Sequence, residues 1–273
     1  MKFSLYTLFG IFTASAQIQH GTIALILFDD DKIIMAADSR GNSGGANPNN
    51  RDDECKIAVF EDKVIYVSAG FVAFKSNVPQ GPSWTNMDEA RKAYSTVLER
   101  FGSIQGHTSD TAEEFADRLG QNFSLIAADR DLRALALREE VLTEAFFAGV
   151  SATGSLEMAR AKIVADPHHP GRLRRDVEMV IRCITDRICV SGQKELGMEF
   201  AQRDTERAKA EAKTWTTIGD ATSPQDYDIV RTIQLAQTIA RYDTEGTIGG
   251  PIDAVQLNRD GTIRWYRRKQ NCK

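Results

Sequence analysis

Gly21-Thr22 stands at the entrance of an apolar run, Ile23 to Phe28, and an acidic turn then leads into a second run that ends at Asp38-Ser39-Arg40. Cleavage of the Gly21–Thr22 bond would leave Thr22 with its hydroxyl and a free α-amine on one residue. That amine, with an unperturbed pKa of roughly 7.7–8.0, can accept the proton of its own side chain. The pattern points to an enzyme that makes its active site by cutting itself.

Such a residue needs rigid strands around it. Thr22–Phe28 and Ile33–Ala37 are apolar runs joined by Asp29-Asp30-Asp31-Lys32, the signature of a hairpin of buried strands. Gly41–Asn50 is a loop by composition, and Lys56–Phe60 and Val64–Ala69 follow as two more strands before Gly70. Asn86 with Glu89 resembles a helix cap, and Ala90, Tyr94, Val97, Leu98 and Phe101 recur at helical spacing. Asp110 and Glu113 start a second helix through Phe115 and Leu119. Glu144–Ser151 and Ser155–Val164 are a further strand pair. Val177–Val190 fits either strand or helix, Glu195–Lys213 is expected as a solvated helix, and Trp215–Ile218 as a short strand. Ser223-Pro224 opens a helix with Ile229, Ile233, Ala236 and Ile239 on one face, and Ile252–Leu257 and Thr262–Tyr266 close the chain as a hairpin. This order implies an α+β protein: a four-layer α/β/β/α sandwich of two antiparallel sheets flanked by helices.

Composition bounds the function. The 273 residues are 42% hydrophobic, enough for a sizeable core, and the formal charge of −4 with no basic stripe argues against a nucleic-acid partner. Lys2, the apolar run Phe3–Phe12 and Ala14-Ser15-Ala16 read as the three parts of an export signal over residues 1–16, leaving a short propeptide over 17–21. The apolar run is too short for a membrane span, so no membrane partner is expected of the mature chain. Export would make the protein periplasmic or secreted; without that signal it would be cytoplasmic. Cys55, Cys183, Cys189 and Cys272 suit an exported chain with one or two disulfides, their pairing open. No Cys/His spacing suits a metal, and His168-His169 between two prolines reads as a solvated turn.

Gly21-Thr22, then Asp38-Ser39-Arg40, then Lys56 before an apolar strand, then Ser68-Ala69-Gly70, resemble the proteasome β-type subunits, a family of N-terminal nucleophile hydrolases. The match is strong from His20 to about Val72, moderate over the first two helices and 225–266, and absent over the charged segment Gly171–Lys213, which is expected as an insertion in a single domain spanning 22–273. The resemblance implies a threonine-type peptidase. Thr22 Oγ would attack a peptide carbonyl while its own amine moves the proton, and Lys56 would favour the deprotonated forms of both. Asp38 would hold Lys56, and Gly70 would donate its N–H to the oxyanion. It further implies ring or homo-oligomeric assembly, a peptide or protein substrate, and no cofactor.

Two segments depart from the family. Where many members carry Gly-Ser-Gly, this chain reads Gly219-Asp220-Ala221; where they carry Asp-x-x-Ser-Gly-Gly, it reads Asp243-Thr244-Glu245-Gly246-Thr247-Ile248-Gly249-Gly250. Asp220 and Asp243 are carried over as site residues, Asp220 as an acceptor for the ammonium, and Thr247 would supply the missing hydroxyl. Gly41, Glu54, Ala58, Ser68 and Val72 fall where the family lines the pocket for the residue preceding the cut, and Glu54 would favour a basic side chain there. A non-catalytic scaffold subunit, and a hydrolase of small amides, are the alternatives that this sequence leaves open.

Overall fold

A computed structural model describes residues 17–21, 23–43, 50–51, 54–75, 81–126, 141–166, 173–181, 183, 187–215, 224–244, 246–270 and 272. Thr22, Asp220, the leader at 1–16 and the His168-His169 turn lie outside the described residues.

Strands β2 (Ile23–Phe28) and β3 (Lys32–Ala37) form the expected hairpin, and Ala24 lies opposite Ala37. Nearly every residue in both is buried, because they are covered on both faces. Ile23, Leu25 and Leu27 pack under helices, whereas Ala24 and Ile26 point to the second sheet. The remaining members of this sheet are β13 (Asp253–Asn258) and β14 (Ile263–Arg267) beyond β3, and β12 (Ile188–Gly192) beside β2. The charged segment after residue 171 therefore supplies an edge strand of the sheet that carries β2.

The larger sheet is built on β7 (Val64–Lys75), which pairs with β6 (Ile57–Phe60), β8 (Ser83–Thr85) and β9 (Val141–Val150). Beyond β9 come β10 (Leu156–Ala165) and β11 (Leu173–Met179). On the other side β7 pairs with β1 (Gln17–Gly21), followed by β4 (Gly41–Ser43) and β5 (Asn50–Arg51). Its inner face, with Ile65, Val67, Ala69, Phe146 and Met158, meets Ile26, Met35 and Val255 of the smaller sheet in a continuous apolar layer.

Helices α1 (Asn86–Phe101) and α2 (Thr108–Ile126) cover the outer face of the larger sheet, with Tyr94 and Phe115 over Tyr66 and Phe147. Thr85 caps α1 by accepting from the Asp88 N–H at 3.0 Å, one residue ahead of the expected cap, and Gly102 closes it in the left-handed conformation. The outer face of the smaller sheet is covered by α3 (Lys194–Gln202), α4 (Glu206–Trp215) and α5 (Pro224–Tyr242). Two antiparallel sheets flanked by helices make the α+β four-layer sandwich that the pattern implies.

Three local expectations need correction. The segment Gly41–Asn50, expected as a loop, has strands at both ends, because Gly41–Ser43 pairs with β1 and Asn50 belongs to β5, which pairs with β4. Glu195–Lys213 is two helices, because Arg203 takes a left-handed conformation and ends α3. Of Trp215–Ile218, expected as a strand, only Trp215 is among the described residues, and it belongs to α4; its ring is buried and its Nε1 donates to Thr238 at 3.1 Å, a tertiary bond that local propensity cannot express.

Candidate active site

The end of β3 places Asp38 among three other segments. Asp38 Oδ1 accepts from Lys56 Nζ at 2.5 Å and from the Ile23 N–H at 3.2 Å. Its Oδ2 accepts from the Gly249 N–H at 3.0 Å and the Arg40 N–H at 3.3 Å. One carboxylate thus ties together the start of β2, the start of β6 and the turn before β13. A buried carboxylate is stable only when its lone pairs are met in this way.

Lys56 directly precedes β6, and its side chain is 1% exposed. Burial pushes its ammonium below the usual lysine range, and the Asp38 carboxylate opposes that push. The preceding residue, Cys55, is disulfide-bonded to Cys272, and Cys183 is bonded to Cys189. The two bridges account for the four cysteines whose pairing the sequence leaves open.

Gly21 pairs with Gly70 on one side and with Gly41 on the other. Gly21 belongs to the larger sheet and Ile23 to the smaller, and the Ile23 N–H meets the Asp38 carboxylate that holds Lys56. Gly70 has φ +84°, and a Cβ there would lie 2.6 Å from the Leu142 carbonyl oxygen, so glycine is required twice over. The neighbouring Phe71 carbonyl accepts from Asn86 Nδ2 at 2.6 Å and Thr143 Oγ1 at 2.8 Å, both buried, which pins β7 where Gly70 sits.

Asp243 organises the turn whose Gly249 N–H reaches Asp38. Its Oδ2 accepts from the Ile248 N–H at 2.6 Å and Thr247 Oγ1 at 3.1 Å, and Gln193 Nε2 reaches Thr247 Oγ1 at 3.4 Å. The Arg40 guanidinium donates to the Gly246 carbonyl at 3.3 Å and lies where a Cβ on Gly249 would stand. The Gly249 carbonyl accepts from the N–H groups of Ser39 and Arg40, both at 3.1 Å. The 246–249 turn and the 38–40 turn are therefore locked together.

The pocket residues divide. Gly41 and Glu54 are in contact, since a Cβ on Gly41 would lie 2.5 Å from Glu54 Cγ. The Ser68 N–H donates to the Lys56 carbonyl at 3.2 Å, and Val72 lies two residues beyond Gly70 on the same strand. Ala58 is buried in the core beneath α1. Among the described residues no group of three His, Cys, Asp or Glu is placed to hold a metal, and no helix is long and apolar enough to cross a membrane.

Sequence reasoning overlooked Asn86 and Thr143 as groups that pin the strand carrying Gly70. Asn86 is visible only as a helix start, and nothing in local pattern marks Thr143, whose partner Phe71 is distant in the chain. No family model matches the sequence, and no curated protein matches it. Among solved structures, the chain is similar to eukaryotic HslV from Trypanosoma brucei, with 16% identity, a TM-score of 0.45, and coverage of 87% of this chain and 99% of that one. This is a likeness of layout, and the reading of the site rests on the residues just described.

Proposed function

We propose that the chain is a threonine-type peptidase of proteasome β-like type, processed at Gly21–Thr22. One observation carries the reading: Asp38 Oδ1 accepts from both the Lys56 ammonium and the amide of Ile23, the residue that follows Thr22. An ammonium so held favours a deprotonated hydroxyl and amine close by. In this reading Thr22 Oγ attacks the carbonyl carbon of the scissile bond. Its proton passes through the α-amine to the departing amine, and water then hydrolyses the ester that remains. Gly70 supplies the oxyanion donor, and Asp220 and Asp243 belong to the supporting shell.

The peptide class is favoured over small amides by the place of β1. Gln17–Gly21 fills a slot between β7 and β4 with antiparallel pairing on both sides. Release of that strand would leave two edges able to pair with an extended substrate chain. Glu54, against Gly41, would select a basic residue before the cut. Export through the 1–16 leader agrees with two disulfides, which persist in oxidising compartments. Ring assembly belongs to the same proposal.

Intact-mass analysis of the purified protein tests it. The expected product begins at Thr22 and cleaves peptide amides, whereas Thr22→Ala keeps the residues ahead of it and is inactive. A folded wild-type chain that retains Gly21 and cleaves no amide would end this reading. Native mass of the same sample reports the assembly.

A further inference from the structure

After β14 the chain turns back toward the segment that carries Lys56. Cys272 is bonded to Cys55, one residue before Lys56. Lys269 Nζ donates to the Glu54 carbonyl, one residue further back, and lies 3.0 Å from Asp253 Oδ2. The Lys269 N–H donates to Asp253 Oδ1 at 3.0 Å, so the pair is held by side chain and backbone together. Arg268 Nε donates to the Cys272 carbonyl, and the Cys272 N–H donates to the Lys269 carbonyl at 3.2 Å, which closes the tail into a turn. The Lys269 and Asp253 side chains are only 10% and 3% exposed. Since Asp253 lies opposite Ala37, beside Asp38, two sequestered Lys–Asp pairs stand next to each other at one end of the smaller sheet.

A sequestered ion pair contributes little net stability, because desolvation cancels most of the attraction. Its position gives it another use. We propose that the 268–272 tail is a positioning element of the site: the Cys55–Cys272 bond fixes the backbone that leads into Lys56, and the Lys269 ammonium, held against the Glu54 carbonyl, adds to the electrostatic field in which Lys56 works. Burial acts most strongly on Lys56 and disfavours its protonated form; among the charged groups of the described residues, Asp38 opposes burial, the Lys269 ammonium reinforces it, and Glu54 again favours the protonated form. The Asp253 carboxylate and the Glu54 carbonyl keep that second ammonium in place. The consequence for catalysis rests on the function proposed above; the electrostatic coupling does not.

The test therefore reads Lys56 directly. Carbon-13 NMR titration of the lysine Cε signals, in the full chain, follows the Lys56 midpoint in wild type, K269M, K269R and the double variant C55S/C272S. Loss of a nearby cation should move the Lys56 midpoint upward by about half a pH unit or more in K269M. K269R should stay near wild type. C55S/C272S, which frees the tail, should move in the same direction as K269M, and serves in its place should K269M fail to fold. In active protein the alkaline limb of the rate profile should move with the midpoint, a change that mere loosening of the fold would not produce. A Lys56 midpoint unchanged in the folded variants overturns the inference. A wild type that cleaves no amide disposes of the proposed function alone and leaves the titration to decide this one.

Discussion

Lys56 Nζ lies 2.5 Å from Asp38 Oδ1, and the two side chains are 1% and 0% exposed. Few arrangements are as sensitive to the loss of one partner. Removing either charge leaves the other uncompensated in the interior, which typically costs about 3–5 kcal/mol, whereas removing both is often close to neutral. Asp38→Asn and Lys56→Met should each lower the stability measured by urea unfolding by several kcal/mol, on the order of that range. The double variant should recover most of the loss. On the proposed function, in which processing and hydrolysis would use the same groups, all three should be inactive and should keep the residues ahead of Thr22. A single variant as stable as wild type would show that the pair is not closed in solution.

Gly70 invites a sharper substitution. Its φ of +84° is unfavourable for alanine, and the new methyl would press on the Leu142 carbonyl at 2.6 Å. Gly70→Ala should cost more than about 1 kcal/mol in stability. If its N–H is the oxyanion donor, turnover in the folded fraction should also fall by about 10²–10³-fold. Steady-state kinetics on variant protein held well below its unfolding midpoint separate the two effects. Unchanged turnover there would remove Gly70 from the chemistry.

Glu199 makes the outer helices sensitive to acid. Hydrogen bonds from Arg207 and Thr205 hold its carboxyl down to about 2, from an ordinary 4.5. The Arg207 Nε contact is 2.6 Å, and it joins α3 to α4. The folded value lies below the unfolded one, so this contribution is fully present above pH 4.5 and is lost as the pH falls from there toward 2. Glu199→Gln should be less stable than wild type at neutral pH, with a difference that shrinks across that window. Thermal unfolding between pH 2 and 6 measures it. A difference independent of pH would mean that the Arg207 bond is absent in solution.

Much of the architecture was legible along the chain because it is written in local periods. The β2–β3 hairpin announces itself as two apolar runs around Asp29-Asp30-Asp31, and α5 as a stripe from Ile229 to Ile239. The order Thr22, Asp38, Lys56, Gly70 could be noticed as well, since in the sequence each residue borders an apolar run. Folding added the meetings between distant residues. Leu173–Met179 and Ile188–Gly192 carry too many charges or too short an apolar run to declare a structure. They become strands through pairing with β10 and β2. Trp215, helical in α4, meets Thr238 of α5 through its indole N–H, a contact that no local pattern announces. Cys55 finds Cys272 across a separation of 217 residues, and Lys269 finds Glu54. The physical reason is common to all of these. Side-chain period and turn chemistry act over a few neighbours and can be read in order, whereas a disulfide or a sequestered ion pair exists only after packing has brought its two halves to one place.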